Sequence, residues 1–121
     1  PWAATHLGDV TGKLLSAERL DKSRTENLAW DHALIPENFA DKLTRADLNS
    51  LDFVDRWISR QRIAIFEIRQ QVSAVPASSA DEERLGIRKG APILQAIETY
   101  LSTGNQVLGI FLSHYRPGRI E

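Results

Sequence analysis

The sequence contains neither cysteine nor methionine in its 121 residues. Without cysteine the chain can form no disulfide and no thiolate metal site, which suits a reducing cytosol. Because it begins at Pro1 and has no methionine, we expect it to be a fragment of a longer protein. Its apolar runs fall well short of the ~20 residues that span a bilayer, and no signal peptide begins it. These absences predict a cytoplasmic protein that does not enter a membrane.

A strong charge of either sign is also missing. Fifteen Lys and Arg against sixteen Asp and Glu give a formal net charge of -1. No positive field is therefore available to hold a phosphate backbone, and this chain alone is not expected to bind nucleic acid. With 42% hydrophobic and 26% charged residues, the composition is that of a folded globular protein. The length predicts a single domain over residues 1–121.

Catalytic and cofactor motifs are absent from the sequence. It has no nucleophile elbow, P-loop or dinucleotide fingerprint. The histidines are scattered singly along the chain, at His6, His32 and His114. Such spacing does not make a metal site. Three adjacent carboxylates, at 81–83, begin a short helix that we expect to be exposed, where they would complement the helix dipole. We therefore expect no enzyme activity, metal or cofactor.

Hydrophobic periodicity predicts five strands and three helices. The strands are expected at Lys13–Leu20, Asn27–Ile35, Ile63–Pro76, Ile93–Tyr100 and Gln106–Tyr115. The helices are expected at Pro36–Leu43, at 44–59 after a Thr44/Asp47 capping box, and at Ala80–Leu85 before Gly86. Two hairpins and clustered helices favour an α+β fold, with an antiparallel sheet and helices on one side of it.

Arginines are grouped in two places that could bind an anion. Arg56, Arg60 and Arg62 lie where the second helix passes into a strand, and Arg116 and Arg119 lie near the end. A guanidinium group forks onto a carboxylate or a phosphate. For any one of these arginines the alternative is a solvated rim with surface ion pairs. Only the set as a whole favours an anion site.

Residues 72–100 closely resemble the second half of the UTRA domain, the ligand-sensing half of GntR-type regulators of the HutC kind. The resemblance lies in a short helix that ends in Leu85-Gly86-Ile87 and a strand opened by Gly90-Ala91-Pro92-Ile93-Leu94. Residues 113–119 resemble the family's final Tyr-Arg-Gly-Asp-Arg, with Pro-Gly in place of Gly-Asp. Upstream, 31–36 and 49–52 resemble a strand end and a helix start. Coverage is roughly residues 14–120.

This resemblance implies a chorismate-lyase-like fold, an antiparallel sheet with flanking helices. It also implies a cleft for a small anionic metabolite such as a sugar phosphate, an amino acid or a phosphonate. Members of the family form homodimers and contact DNA through an N-terminal winged helix-turn-helix domain, which is absent from these residues. The chain would then be an effector-binding and dimerisation domain.

Positions in the family that contact the ligand match residues of this chain one at a time. Arg19 on the first strand and Asp31 on the second match an Arg and a Glu. Ser50 at the helix start and Arg60 or Arg62 after the helix match positions that contact an anion. Tyr115 matches a tyrosine near the end of the domain. At Gly109 some members that sense sugar phosphates have a Glu, so the resemblance does not name the effector.

Two other interpretations remain open. The chain could be a small lyase or isomerase of the same fold, in which arginines hold a dicarboxylate. It could instead be a dimerisation domain without a ligand, its cleft filled by its own side chains. Trp30 and Trp57 are expected to be core residues rather than a cleft lining.

Overall fold

Five β-strands form the framework of the protein in a computed structural model, which describes residues 13–22, 27–50 and 52–116. They are β1 (Leu14–Lys22), β2 (Asn27–Pro36), β3 (Glu67–Pro76), β4 (Pro92–Leu101) and β5 (Val107–Tyr115). They make one sheet in the order β1-β2-β5-β4-β3, with every neighbouring pair antiparallel. The antiparallel α+β architecture predicted from the sequence is confirmed. Residues 1–12, 23–26, 51 and 117–121 lie outside the described residues, and so do His6 and Arg119 of the sequence analysis.

The first two predicted helices are shorter than expected, and the third begins one residue earlier, at Ser79. The observed helices are a 3-10 turn (Glu37–Phe39), α1 (Arg45–Leu48), α2 (Phe53–Gln61) and α3 (Ser79–Leu85). The expected helix over 36–43 is thus a single turn, and the expected helix over 44–59 is broken in two. The break follows Asn49, the C-cap of α1, and Ser50 Oγ accepts a hydrogen bond from Asp52 N at 3.2 Å. Such local side-chain bonds compete with helix continuation. No helix of the described residues is long and apolar enough to cross a membrane.

The predicted third strand also starts later than expected, at Glu67 instead of Ile63. Arg62 has φ 51°, a left-handed conformation that ends α2, and Ile63 N donates to Ile58 O at 2.9 Å. Ile63 and Ile65 then pack as partly buried residues against the core beside α2. Their alternation therefore reflects one buried side of a connecting segment rather than a paired strand.

The sheet is covered on both faces, not on one side as the sequence predicted. Leu85 of α3 packs on a first core with Trp30, Leu34, Ile97, Ile110 and Leu112. Phe53 and Trp57 of α2 pack on a second core with Ala33, Ile35, Tyr100, Leu108 and Phe111. Successive strand residues point to opposite faces, so the two cores lie on opposite sides, called here the α3 face and the α2 face. Burial on both sides explains why residues 108–112 of the central strand β5 are all buried.

Each of the two capping boxes ends in an aspartate that is completely buried. Thr44 caps α1 with Asp47, and Ser78 caps α3 with Asp81; both carboxylates are 0% exposed. The expectation that Asp81 is exposed was therefore wrong, although Asp81 does lie in the first turn of α3. Its Oδ1 accepts hydrogen bonds from Trp30 Nε1 at 2.7 Å and His114 Nδ1 at 2.6 Å, which tie α3 to the sheet.

Trp57 occupies the space beside Gly109 on the α2 face. A Cβ atom added to Gly109 would lie 3.0 Å from Trp57 Cη2 and 3.5 Å from Ile35 Cγ1. Trp57 is 0% exposed and Trp30 is 6% exposed, so both are core residues as the sequence predicted. A larger side chain at position 109 therefore has no room unless Trp57 moves.

We expect Gly109→Ala to lower the free energy of unfolding by about 1–3 kcal/mol, because an added methyl group overpacks a rigid indole. Urea denaturation followed by tryptophan fluorescence measures the change. Gly104→Ala is the matched control, since a Cβ there meets nothing within 4 Å; its effect should stay within about 0.5 kcal/mol. Equal stability of Gly109→Ala and the parent chain would contradict this packing.

Candidate functional site

A cross-strand ion pair joins the first two strands on the α2 face. Arg19 of β1 lies directly opposite Asp31 of β2. Arg19 Nε donates to Asp31 Oδ1 at 3.2 Å and Nη2 donates to Oδ2 at 3.5 Å, so the two groups meet as a fork. The side chains are only 22% and 20% exposed. Partial burial strengthens such a pair relative to one at the surface.

The same arginine connects the sheet to the start of α2. Arg19 Nη1 donates to the backbone oxygen of Ser50 at 2.6 Å. Its guanidinium carbon lies 5.1 Å from the centre of the Phe53 ring, a cation–π distance. Three of the six residues predicted from the resemblance, Arg19, Asp31 and Ser50, therefore lie together. The sequence missed Phe53, which forms one wall of this group.

Ser50 is held in turn by polar contacts within its own segment. Its hydroxyl donates to the Asp52 carboxylate, and its backbone N–H donates to Asp47 O at 3.1 Å. Arg56 of α2 donates from Nε to Asp52 Oδ1 at 2.9 Å. These bonds set the position of the Ser50 carbonyl that Arg19 meets. Hydrogen bonds from Ser50 and Arg56 hold the pKa of Asp52 below its ordinary value.

Arg60 contacts a buried carboxylate. Its Nε lies 3.2 Å from Asp47 Oδ2, and Arg56 Nη1 lies 3.4 Å from Asp47 Oδ1. The Thr44 backbone N–H bond, followed by the Thr44 hydroxyl, Arg60 and Arg56, lowers the pKa of Asp47 despite its burial. Two arginines of α2 thus neutralise the cap of α1 and join the two helices. In this structure Arg60 supports the segment that carries Ser50.

Arg62 and Tyr115, the other two predicted residues, are placed differently. Arg62 is exposed at the C-terminal end of α2, about 14 Å along the axis from Phe53 for a nine-residue helix. Tyr115 lies near the end of β5, on the α2 face by strand alternation, opposite Ala29 of β2. Asp31 pairs with Ser113, two residues before Tyr115. Tyr115 is therefore a diagonal neighbour of the ion pair, whereas Arg62 is not brought to it.

Comparison with known proteins decides the family. Residues 3–121 match the family model of the UTRA domain. The chain belongs to the UTRA domain family. No curated protein matches its sequence.

Solved structures share the fold of this UTRA domain. A GntR-family transcriptional regulator from Enterococcus faecalis superposes with TM-score 0.80 at 20% identity, over 98% of this chain and 85% of that one. A candidate transcriptional regulator from Streptomyces coelicolor gives TM-score 0.81 at 26% identity, over 99% and 79%. The effector-binding domain of the Bacillus subtilis trehalose repressor gives 0.87 at 13% identity, over 99% and 83%. The chain thus shares its fold with these proteins of transcription regulation.

The buried ion cluster around Asp47 gives a pH-dependent prediction. Because the pKa of Asp47 is lowered on folding, its ionised form stabilises the protein above the ordinary aspartate pKa of about 3.9, and this stabilisation is lost as the pH falls through the lowered value. We expect Asp47→Asn to unfold at lower urea concentration than the parent at pH 7, and the difference to narrow below about pH 4.

The exposed Asp55 of α2 serves as the control. Asp55→Asn should change the urea midpoint little at either pH. The assignment fails if the deficit of Asp47→Asn is the same at pH 3 and pH 7, or if Asp55→Asn reproduces it.

Proposed function

We propose that this UTRA domain is the effector sensor of a cytoplasmic GntR-type transcription regulator and binds a small acidic metabolite beside the Arg19–Asp31 pair. The proposal rests on the hydrogen bonds that Arg19 makes to Asp31 and to the Ser50 backbone, just before the start of α2. DNA contact would be made by an N-terminal winged helix-turn-helix domain, as the resemblance implies. Binding without turnover is the activity proposed, as the resemblance also implies.

Arg19 can bind an acidic group in one orientation. Asp31 takes Nε and one N–H of Nη2, and the Ser50 carbonyl takes one N–H of Nη1, which leaves one N–H on each terminal nitrogen to bind a ligand. A carboxylate or phosphate there would form charge-assisted hydrogen bonds. The Asp31 pair and the Phe53 ring hold the guanidinium plane in place, so little side-chain entropy is lost on binding.

Asp31 and Tyr115 would contact the remainder of the metabolite. A carboxylate and a phenol are suited to hydroxyl or amino groups, since one accepts and the other both donates and accepts hydrogen bonds. The sequence also predicted that Arg60 and Arg62 contact the ligand, and this stays a prediction. Arg60 is paired with Asp47, and Arg62 lies at the other end of α2. We therefore propose contacts for Arg19, Asp31, Ser50 and Tyr115.

A second copy of the chain is proposed to pack on strand β3. This edge strand pairs with β4 over ten residues in one register, and its apolar side chains are exposed: Phe66 just before it by 66%, Ile68 by 48% and Val72 by 52%. Protein edges that avoid pairing usually carry lysine, proline or a bulge. In β3 the charged Glu67 and Arg69 lie near one end and pair with each other, and the one proline, Pro76, is the last residue of the strand. A twofold partner would cover these apolar groups on both copies.

A ligand screen tests the sensor function. At one hundred times its dissociation constant, an effector should add about 2.7 kcal/mol to the free energy of unfolding. We expect a sugar phosphate, an amino acid or a phosphonate to raise the melting temperature of the parent chain. Arg19→Gln should lose the rise, while Arg88→Gln, at an exposed arginine between α3 and β4, should keep it. Failure of every acidic compound, or an undiminished rise in Arg19→Gln, would refute the proposed site.

Sedimentation velocity tests the proposed dimer. Val72→Glu puts a charge at the centre of the exposed strand and should convert the dimer to a monomer. Leu20→Glu is the matched control, because Leu20 is exposed by 41% on the opposite edge strand, β1; it should remain a dimer. A parent chain that is monomeric at tens of micromolar, or a Val72→Glu variant that stays dimeric, would rule out this surface.

A further inference from the structure

Asp81 joins three elements on the face of the sheet opposite the proposed effector site. Its Oδ2 accepts hydrogen bonds from Ser78 N at 2.8 Å and from Ser78 Oγ at 3.0 Å, which fixes the start of α3. Its Oδ1 accepts from Trp30 of β2 and His114 of β5, at 2.7 and 2.6 Å. One carboxylate, 0% exposed, thus receives four donors.

Trp30 and His114 are themselves directly opposite each other in the β2–β5 pairing. Their rings meet edge to face with centres 4.9 Å apart. Beyond them, His114 Nε2 lies 2.8 Å from Gln95 Oε1 of β4. Asp81 therefore holds two central strands at one level of the sheet, and His114 extends the connection to a third.

The proposed effector site lies at the same position along β2 and β5 as this clamp, the hydrogen bonds that Asp81 accepts from Trp30 and His114. Asp31 follows Trp30 and Tyr115 follows His114. Because successive strand residues point to opposite faces, Asp31 and Tyr115 extend from the α2 face where their predecessors are held on the α3 face. A carboxylate behind the sheet is thus one residue away from two proposed ligand contacts.

We infer that Asp81 is a positioning residue for the effector site, acting through Trp30 and His114 to hold Asp31 and Tyr115 at a fixed spacing. The inference rests on the proposed function, because the residues that Asp81 positions are proposed ligand contacts. Its physical content, a local clamp on one level of two strands, is independent of which metabolite binds. Loss of the clamp loosens β2 and β5 near Trp30 and His114 before it unfolds the core on the α2 face.

The charged groups around this clamp have partners of their own. Arg84 of α3 stacks on the Trp30 ring at 4.5 Å and donates to Glu18 of β1 at 2.7 Å. Arg116, next along the chain from Tyr115, donates to the backbone oxygens of Asn27 and Leu85. Gln95, facing His114 from β4, is uncharged. Asp81 is accordingly the one carboxylate that His114 contacts among the described residues.

Acid should open the clamp. Burial raises the pKa of Asp81, but hydrogen bonds from His114, the Ser78 backbone and Trp30 outweigh it and leave the pKa below its ordinary value. The clamp is therefore fully present above the ordinary aspartate pKa and is lost as the pH falls through the lowered value.

The test compares His114→Leu with His114→Asn by amide hydrogen exchange. Leucine removes both ring nitrogens, whereas the asparagine amide can place a donor near the position of Nδ1 and restore the bond to Asp81. We expect His114→Leu to raise exchange at 29–31 and 113–115 at least about tenfold more than at 33–35 and 108–110 of the same strands, from the loss of a buried charge-assisted bond. His114→Asn should recover most of that protection. The parent should move towards the pattern of His114→Leu as the pH falls below the ordinary aspartate pKa of about 3.9.

Equal increases in the two pairs of segments would mean a general loss of stability and would overturn the inference, as would an asparagine variant no better than leucine. If His114→Leu does not fold, Trp30→Phe removes one donor, keeps a ring and tests the same pattern. Exchange needs no ligand, so a failed effector screen would refute the sensor function and leave the clamp standing. A successful effector screen together with equal exchange in the two pairs of segments would support the sensor function and refute the clamp.

Discussion

Two completely buried carboxylates hold the helices of this protein to each other and to its sheet. Asp47 and Asp81 each sit at the third position of a capping box, so a local sequence pattern places them. Removing a carboxylate from water is costly unless its oxygens are hydrogen-bonded. Each carboxylate meets that requirement with long-range donors, from Arg56 and Arg60 in one case and from aromatic residues of the sheet in the other. Helices of four and seven residues would not persist alone.

The two carboxylates support one site from two sides. Asp47 fixes the segment that brings the Ser50 carbonyl to Arg19, and Asp81 fixes the strands behind Asp31 and Tyr115. The Arg19–Asp31 pair lies between them on the α2 face. An arginine whose orientation is set by a carboxylate, an aromatic ring and a backbone oxygen is suited to recognising an acid in a defined direction.

The strands, their two hairpins and the α+β class could be predicted because period-two alternation and turns depend on local sequence, whereas the pairing of β2 with β5 and of β3 with β4 could not. The strand over Asn27–Ile35 differs from the observed β2 by one residue. The helical region could not be predicted as well. The apolar spacing through Leu48, Val54 and Ile58 suggested one continuous helix, but the break after Asn49 restarts the helix at Phe53. Phe53 and Trp57 then carry most of the burial. That restart depends on the Asn49 cap and the hydrogen bonds between Ser50 and Asp52, which apolar periodicity does not contain.

The candidate site could be predicted only in part. Arg19 and Asp31 came from the resemblance to the family, and their contact follows from the hairpin register. Arg60 was predicted as a ligand contact, but it lies on Asp47, thirteen residues away in sequence and on another helix. The role of Asp81 was missed because a carboxylate in the first turn of a short helix is usually solvated. Only the fold shows that Trp30 and His114 meet there.

The most direct measurement is a crystal structure of the domain with the effector that a ligand screen identifies. The account predicts the acidic group of that metabolite on the α2 face, hydrogen-bonded to the Arg19 guanidinium, with Asp31 still paired to the same arginine. A metabolite bound on the α3 face, or held without contact to Arg19, would contradict it.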